Sequence, residues 1–138
     1  MKLISNFFKG VDRKAAISWA FFDFANSAYT VLILSFVFPI YFKEVVVGVE
    51  KGDFYWGLLI SISILIGGLL APIIGAIADY DSRKKIKFII FTIVAAIGTA
   101  FLFFSGSNKV LIVSLIFMIT NLAFELAQTL YDSFLAQV

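Results

Sequence analysis

The stretch Gly75-Ala76-Ile77-Ala78-Asp79-Tyr80-Asp81-Ser82-Arg83-Lys84-Lys85 joins two apolar runs, each long enough to cross a bilayer. An acid closes the first run and a basic cluster opens the second. Charges of this kind belong at a membrane face, and clustered Lys and Arg mark the cytoplasmic one. The chain therefore reads as a polytopic membrane protein with this joint inside the cell.

Composition agrees. The 138 residues are 62% hydrophobic and 14% charged, against an apolar share of about 45 to 50% in soluble domains. Seventeen Phe with nine Gly and two Pro suit long packed helices. A barrel would instead show segments of about ten residues alternating in polarity. The fold class expected is an all-α membrane protein. With neither Cys nor His, thiolate and imidazole chemistry is excluded. No nucleophile arrangement, metal cluster or phosphate-binding loop is evident, so no enzyme activity and no cofactor are expected. A net charge of +2 makes a nucleic-acid partner unexpected; the lipid bilayer is the partner that composition demands.

A spanning helix needs about 20 mostly apolar residues. Four segments meet that length, at about 15–42, 54–78, 86–105 and 110–135, forming a transmembrane region over 15–138. The joints fall at 43–53, 79–85 and 106–109. Lys2, Lys9, Arg13, Lys14, Arg83, Lys84, Lys85 and Lys87 lie on one face, and Lys43, Lys51 and Lys109 on the other. Both termini are thus expected in the cytoplasm. Trp19, Tyr80 and Tyr131 are then expected near the inner interface, and Tyr41, Tyr55 and Trp56 near the outer one. Residues 1–14 are expected on the cytoplasmic side. Leu3, Ile4, Phe7, Phe8 and Val11 recur at helical spacing, which suits a segment lying along the inner leaflet; a frayed polar lead-in is the alternative.

Lipid offers helices no hydrophobic reason to associate, so they meet where small residues let backbones approach. Gly67, Ala71, Gly75 and Asp79 follow one another at four-residue steps. They line one stripe of the second span, expected to pack against another helix. Pro72 lies beside it and should bend the helix.

An ionisable side chain at the bilayer centre costs about 2.5 to 3.5 kcal/mol on insertion scales, so such residues are candidate sites. Asp23 lies in the first span and Glu125 in the fourth. Asp23, Ser27 and Thr30 share a helix face with Asn26 beside it; Asn121, Glu125, Gln128 and Asp132 share another. From the helical rise, Asp23 lies roughly 12 Å and Glu125 roughly 15 Å from the inner surface. Two readings stand: these groups form hydrogen bonds that fix helix register, or the carboxylates mark a water-accessible route with an ion- or proton-linked step.

The charged joint resembles the signature that links the second and third helices of major facilitator superfamily transporters, with Gly75, Asp79, Arg83, Lys84 and Lys85 as the matching residues. Tyr80 and Ser82 stand where that signature usually has Arg and Gly. In the first span Trp19, Asp23, Ala25, Asn26, Ser27, Ala28 and Tyr29, followed by Phe36-Val37-Phe38-Pro39-Ile40-Tyr41-Phe42, are similar to the branch of vacuolar amino-acid effluxers linked to autophagy and their bacterial relatives. Tyr131-Asp132-Ser133-Phe134-Leu135 resembles that branch's fourth helix.

The resemblance implies a secondary-active transporter for small solutes, amino acids among them, built from about twelve helices in inverted three-helix repeats. This chain would hold one repeat and one further helix, an amino-terminal part incomplete without carboxy-terminal helices of the same or a separate chain. It also implies a cytoplasmic gating role for Gly75, Asp79, Arg83, Lys84 and Lys85, against which stands a simple topology anchor on anionic lipid. In a bacterium the location would be the inner membrane. Two alternatives remain: a non-transporting four-helix subunit or inactive remnant, and a small four-helix exporter that dimerises.

Overall fold

Apolar helix formers dominate each long run, and the computed structural model, which describes residues 13–80, 83–104, 106 and 109–135, is helical in all of them. No strand occurs among the described residues. Four helical stretches are long and apolar enough to cross a membrane: Ile17–Val47, Val49–Ile77, Lys84–Phe103 and Val110–Phe134. Residues 1–12, on which the expectation of an inner-leaflet segment rests, lie outside the described residues, as do Asp81 and Ser82.

The chain forms two compact units, Met1–Ile40 and Tyr41–Val138. In the first, α1 (Arg13–Tyr29) passes into a wider π-helical stretch, Thr30–Phe36, and then into α2 (Val37–Tyr41), which runs on into the second unit. The wider turn shows in its bonds: the Val37 N–H donates to the Leu32 carbonyl, and the Ser35 hydroxyl donates to the Thr30 carbonyl five residues back at 3.0 Å. Pro39, buried in α2, has no N–H to offer the turn before it.

The second unit opens with another π-helical stretch, Phe42–Val47, followed by α3 (Val49–Tyr80), α4 (Lys84–Phe103) and α5 (Val110–Leu135). The joint expected at 43–53 contracts to Gly48, whose φ of 98° is one that a Cβ disfavours. The polar residues after it are helical because the turn is held from both sides. Lys43 Nζ lies 2.6 Å from Asp53, and a Cβ at Gly52 would sit 2.7 Å from the Lys43 carbonyl oxygen. Pro72 is accommodated within the continuous α3.

Central to this unit is α5, packed against both α3 and α4. Of its spanning window 39% is buried, against 11% in the third span. Val113, Phe117, Leu126 and Leu130 form its core, with Leu59 from α3 and Ala95 and Leu102 from α4. Small residues admit the close approaches: a Cβ on Gly98 would overlap the Thr120 hydroxyl.

Trp56, an interface residue by the sequence reading, is packed between the rings of Phe42 at 5.7 Å and Phe117 at 5.1 Å. Tyr131, read the same way, is only 6% exposed and stacks on Phe88 at 6.4 Å. Aromatic rings serve interfaces and helix contacts alike, so residue type alone does not separate the two.

Candidate functional site

Asn121 and Glu125 are one turn apart on α5, and the Asn121 Nδ2 donates to the Glu125 Oε1 at 3.0 Å. The carboxylate's other oxygen points at α3. There Gly67 is buried, and a Cβ added to it would overlap Glu125 Oε2. The small-residue stripe thus has a definite use at this position: the missing side chain leaves room for an acid from the neighbouring helix.

The contacts set the register of the pair. Trp56 meets Phe117 and Gly67 meets Glu125, so residue numbers rise together and α3 and α5 run parallel. Further along, an open cleft of about 340 Å³ is lined by Ile64, Gly67, Gly68, Ala71, Phe124, Glu125, Gln128 and Thr129. Its wall is apolar apart from the ends of Glu125, Gln128 and Thr129. Gln128 Nε2 donates to Asp132 Oδ1 at 3.0 Å, and the Thr129 hydroxyl donates to the Glu125 carbonyl at 3.0 Å. The polar face of α5 is therefore a chain of hydrogen bonds one turn apart.

Ala71 borders the cleft and is half-buried. At Gly75 the stripe opens out, since a Cβ there would meet nothing within 4 Å. Asp79 lies in the last turn of α3.

The basic residues after it divide. Arg83 and Lys85 are exposed, whereas Lys84 is only 7% exposed. Its ammonium donates to the Ser133 carbonyl at 3.5 Å and lies 5.4 Å from the centre of the Phe134 ring, a cation–π arrangement. This lysine ties the start of α4 to the end of α5, a contact the residue pattern did not reveal.

In the first unit, Asp23, Ser27 and Thr30 are exposed and Asn26 is half-buried along α1 and the turn that follows. The Thr30 hydroxyl donates to the Asn26 carbonyl at 3.1 Å, which satisfies the hydroxyl within its own helix.

Two buried polar residues escaped the sequence reading. Ser63 and Thr120 are both fully buried. Thr120 bonds its own helix, donating to the Ile116 carbonyl at 2.7 Å. Ser63 precedes Gly67 by one turn, so extending the four-residue step backwards would have found it.

Comparison with known proteins finds sequence similarity to one transporter family. Residues 54–137 match the family model described as vacuole effluxer Atg22 like. A Bacillus subtilis (strain 168) protein described as the uncharacterized MFS-type transporter YxiO is 36% identical over 125 residues, which cover 88% of this chain and 29% of that protein. The chain thus spans less than a third of the length of that relative. No solved structure matches.

Proposed function

Since the chain belongs to the Atg22-like vacuole effluxer family of MFS-type transporters, we propose that it supplies four spans of a secondary transporter for small solutes. The observation that carries this reading is the Glu125 carboxylate, held by Asn121 and seated against Gly67 beside an open cleft. A carboxylate kept within a span at such cost favours transport over adhesion. Asn121, Glu125 and Gln128 on α5, and Asp23, Asn26, Ser27 and Thr30 in the first span, serve the passage of solute or coupling ion. Amino acids are the first solute class to test, on the resemblance of the first span. Both termini face the cytoplasm, as the distribution of basic residues supports.

At the cytoplasmic end Gly75, Asp79, Arg83, Lys84 and Lys85 form the gating element. Within it Lys84 secures α4 to α5, while Arg83 and Lys85 are exposed; further helices of the transporter, in the same or a separate chain, complete the gate. That such helices take part is supported by the 29% share of the relative that this chain covers.

The test replaces Asp23 by Asn and Glu125 by Gln in cells producing the polypeptide that carries these spans, and follows uptake or efflux of labelled amino acids under imposed ion gradients. Gradient-driven flux should be lost in both variants at unchanged membrane abundance. Normal coupled flux in both would remove the two carboxylates from the pathway, and no flux from the unaltered polypeptide would remove the transport reading.

A further inference from the structure

At the middle of the second and fourth spans are oxygen atoms without a hydrogen-bond partner among the described residues. Ser63, the central residue of Val49–Ile77, is 0% exposed, and its Oγ has no hydrogen-bond partner. Asn121, close to the centre of Val110–Phe134, is 2% exposed, and its Oδ1 has none either. Buried polar atoms nearly always find a partner, so each exception calls for an explanation.

The two orphans belong to one layer. Because α3 and α5 run parallel, the turn before the Gly67–Glu125 contact brings Ser63 and Asn121 to the same level. The Asn121 amide is oriented by chemistry: a carboxylate only accepts, so the end facing Glu125 is Nδ2 and the unpartnered end is the oxygen. The layer thus offers a hydroxyl oxygen and an amide oxygen, and the Glu125 carboxylate borders it one turn further along α5.

Oxygen donors suit hard cations. One formal negative charge is neutralised by one positive charge, whereas a divalent ion would leave an excess charge in the membrane. The close helix approach that Gly67 permits favours a small ion. We propose that Ser63 Oγ, Asn121 Oδ1 and the Glu125 carboxylate form a site for a monovalent alkali cation of sodium size. The cleft reaches Glu125 beside Gln128, so the ion meets the carboxylate first and is then held by it together with the buried oxygens. Under the transport reading, on which this role rests, that cation is the coupling species.

The test measures binding of radiolabelled sodium to the purified full chain in lipid nanodiscs, with choline holding ionic strength constant. One saturable class is expected, competed by lithium better than by potassium. Ser63→Ala should weaken it by about tenfold or more, and Glu125→Gln should abolish it, with circular dichroism unchanged in both. Absence of saturable binding to the folded wild-type chain would overturn the site and assign the orphan atoms to water. Sodium binding unaltered by both substitutions would overturn it too, by placing the ion elsewhere. Binding is read without any solute, so the two proposals fail separately. Gradient-driven flux without sodium binding removes the cation site alone. Sodium binding lost in Glu125→Gln, with coupled flux normal in that variant and in Asp23→Asn, removes the two carboxylates from the pathway and the coupling role from the cation, and leaves the binding site standing.

Discussion

The Glu125 carboxylate occupies the space into which a side chain at Gly67 would project. The group in the way is the tip of a flexible side chain. Gly67→Ala should therefore displace the carboxylate without disrupting α3, and Ala's advantage in a helix of about 1 kcal/mol offsets the crowding. Thermal stability in detergent should stay within about 1 kcal/mol of the wild type, while coupled flux is lost. A variant with normal flux would show that the carboxylate's position against α3 is unimportant.

Gly98 provides the contrasting case. A Cβ there would overlap the Thr120 hydroxyl and lie 3.0 Å from Thr120 Cβ and 3.3 Å from its methyl group. A β-branched side chain cannot swing clear as a carboxylate can. Overpacking of this kind costs about 1 to 3 kcal/mol, so Gly98→Ala should lower the unfolding temperature measurably, and adding Thr120→Ala should recover part of the loss. A single variant as stable as the wild type would contradict the close α4–α5 contact.

Lys84 and its neighbours should separate in their effects. Lys84→Met keeps the apolar stem and loses the Ser133 hydrogen bond and the ring contact, a cost of about 1 to 3 kcal/mol. Denaturation midpoints should fall while membrane orientation is unchanged. Stability equal to wild type would mean that the buried ammonium contributes no net clamp.

Arg83→Glu with Lys85→Glu alters two exposed positions, so stability should change little. In the proposed orientation these residues help keep the joint cytoplasmic. Cysteine accessibility mapping should then report molecules with this joint on the outer side, and an unchanged orientation would exclude the anchoring role.

Gly52→Ala places a Cβ 2.7 Å from a backbone carbonyl and 2.8 Å from the Lys43 Cα. Backbone cannot move aside as a side-chain tip does. Limited proteolysis should cut this variant near Gly48 faster than the wild type. Equal protection would show that the hairpin at Gly48 tolerates a wider gap.

Much of this arrangement was legible in the residues and some was not. Helix number follows from apolar run length, because lipid forces backbone hydrogen bonds inside each span. The Asn121–Glu125 pair was legible as a four-residue step. That Glu125 meets Gly67 was not, because periodicity states which face is polar and leaves its partner unspecified. Ser63 was passed over because a serine in a run of Ile and Leu carries no charge to draw attention. The joint at 43–53 was drawn too long because Lys43, Glu50, Lys51 and Asp53 read as a loop. An ion pair and a glycine contact instead extend the helices to Gly48 on either side.

The pairing of the second and fourth spans joins helices that are made at different times during synthesis. The helix carrying Ser63 and Gly67 enters the bilayer before its partner exists, and ribosomes add about 5 to 20 residues per second. For several seconds the serine hydroxyl faces acyl chains or the insertion machinery. Mutations in α5 should therefore act first on how long the nascent chain stays exposed to membrane quality-control proteases.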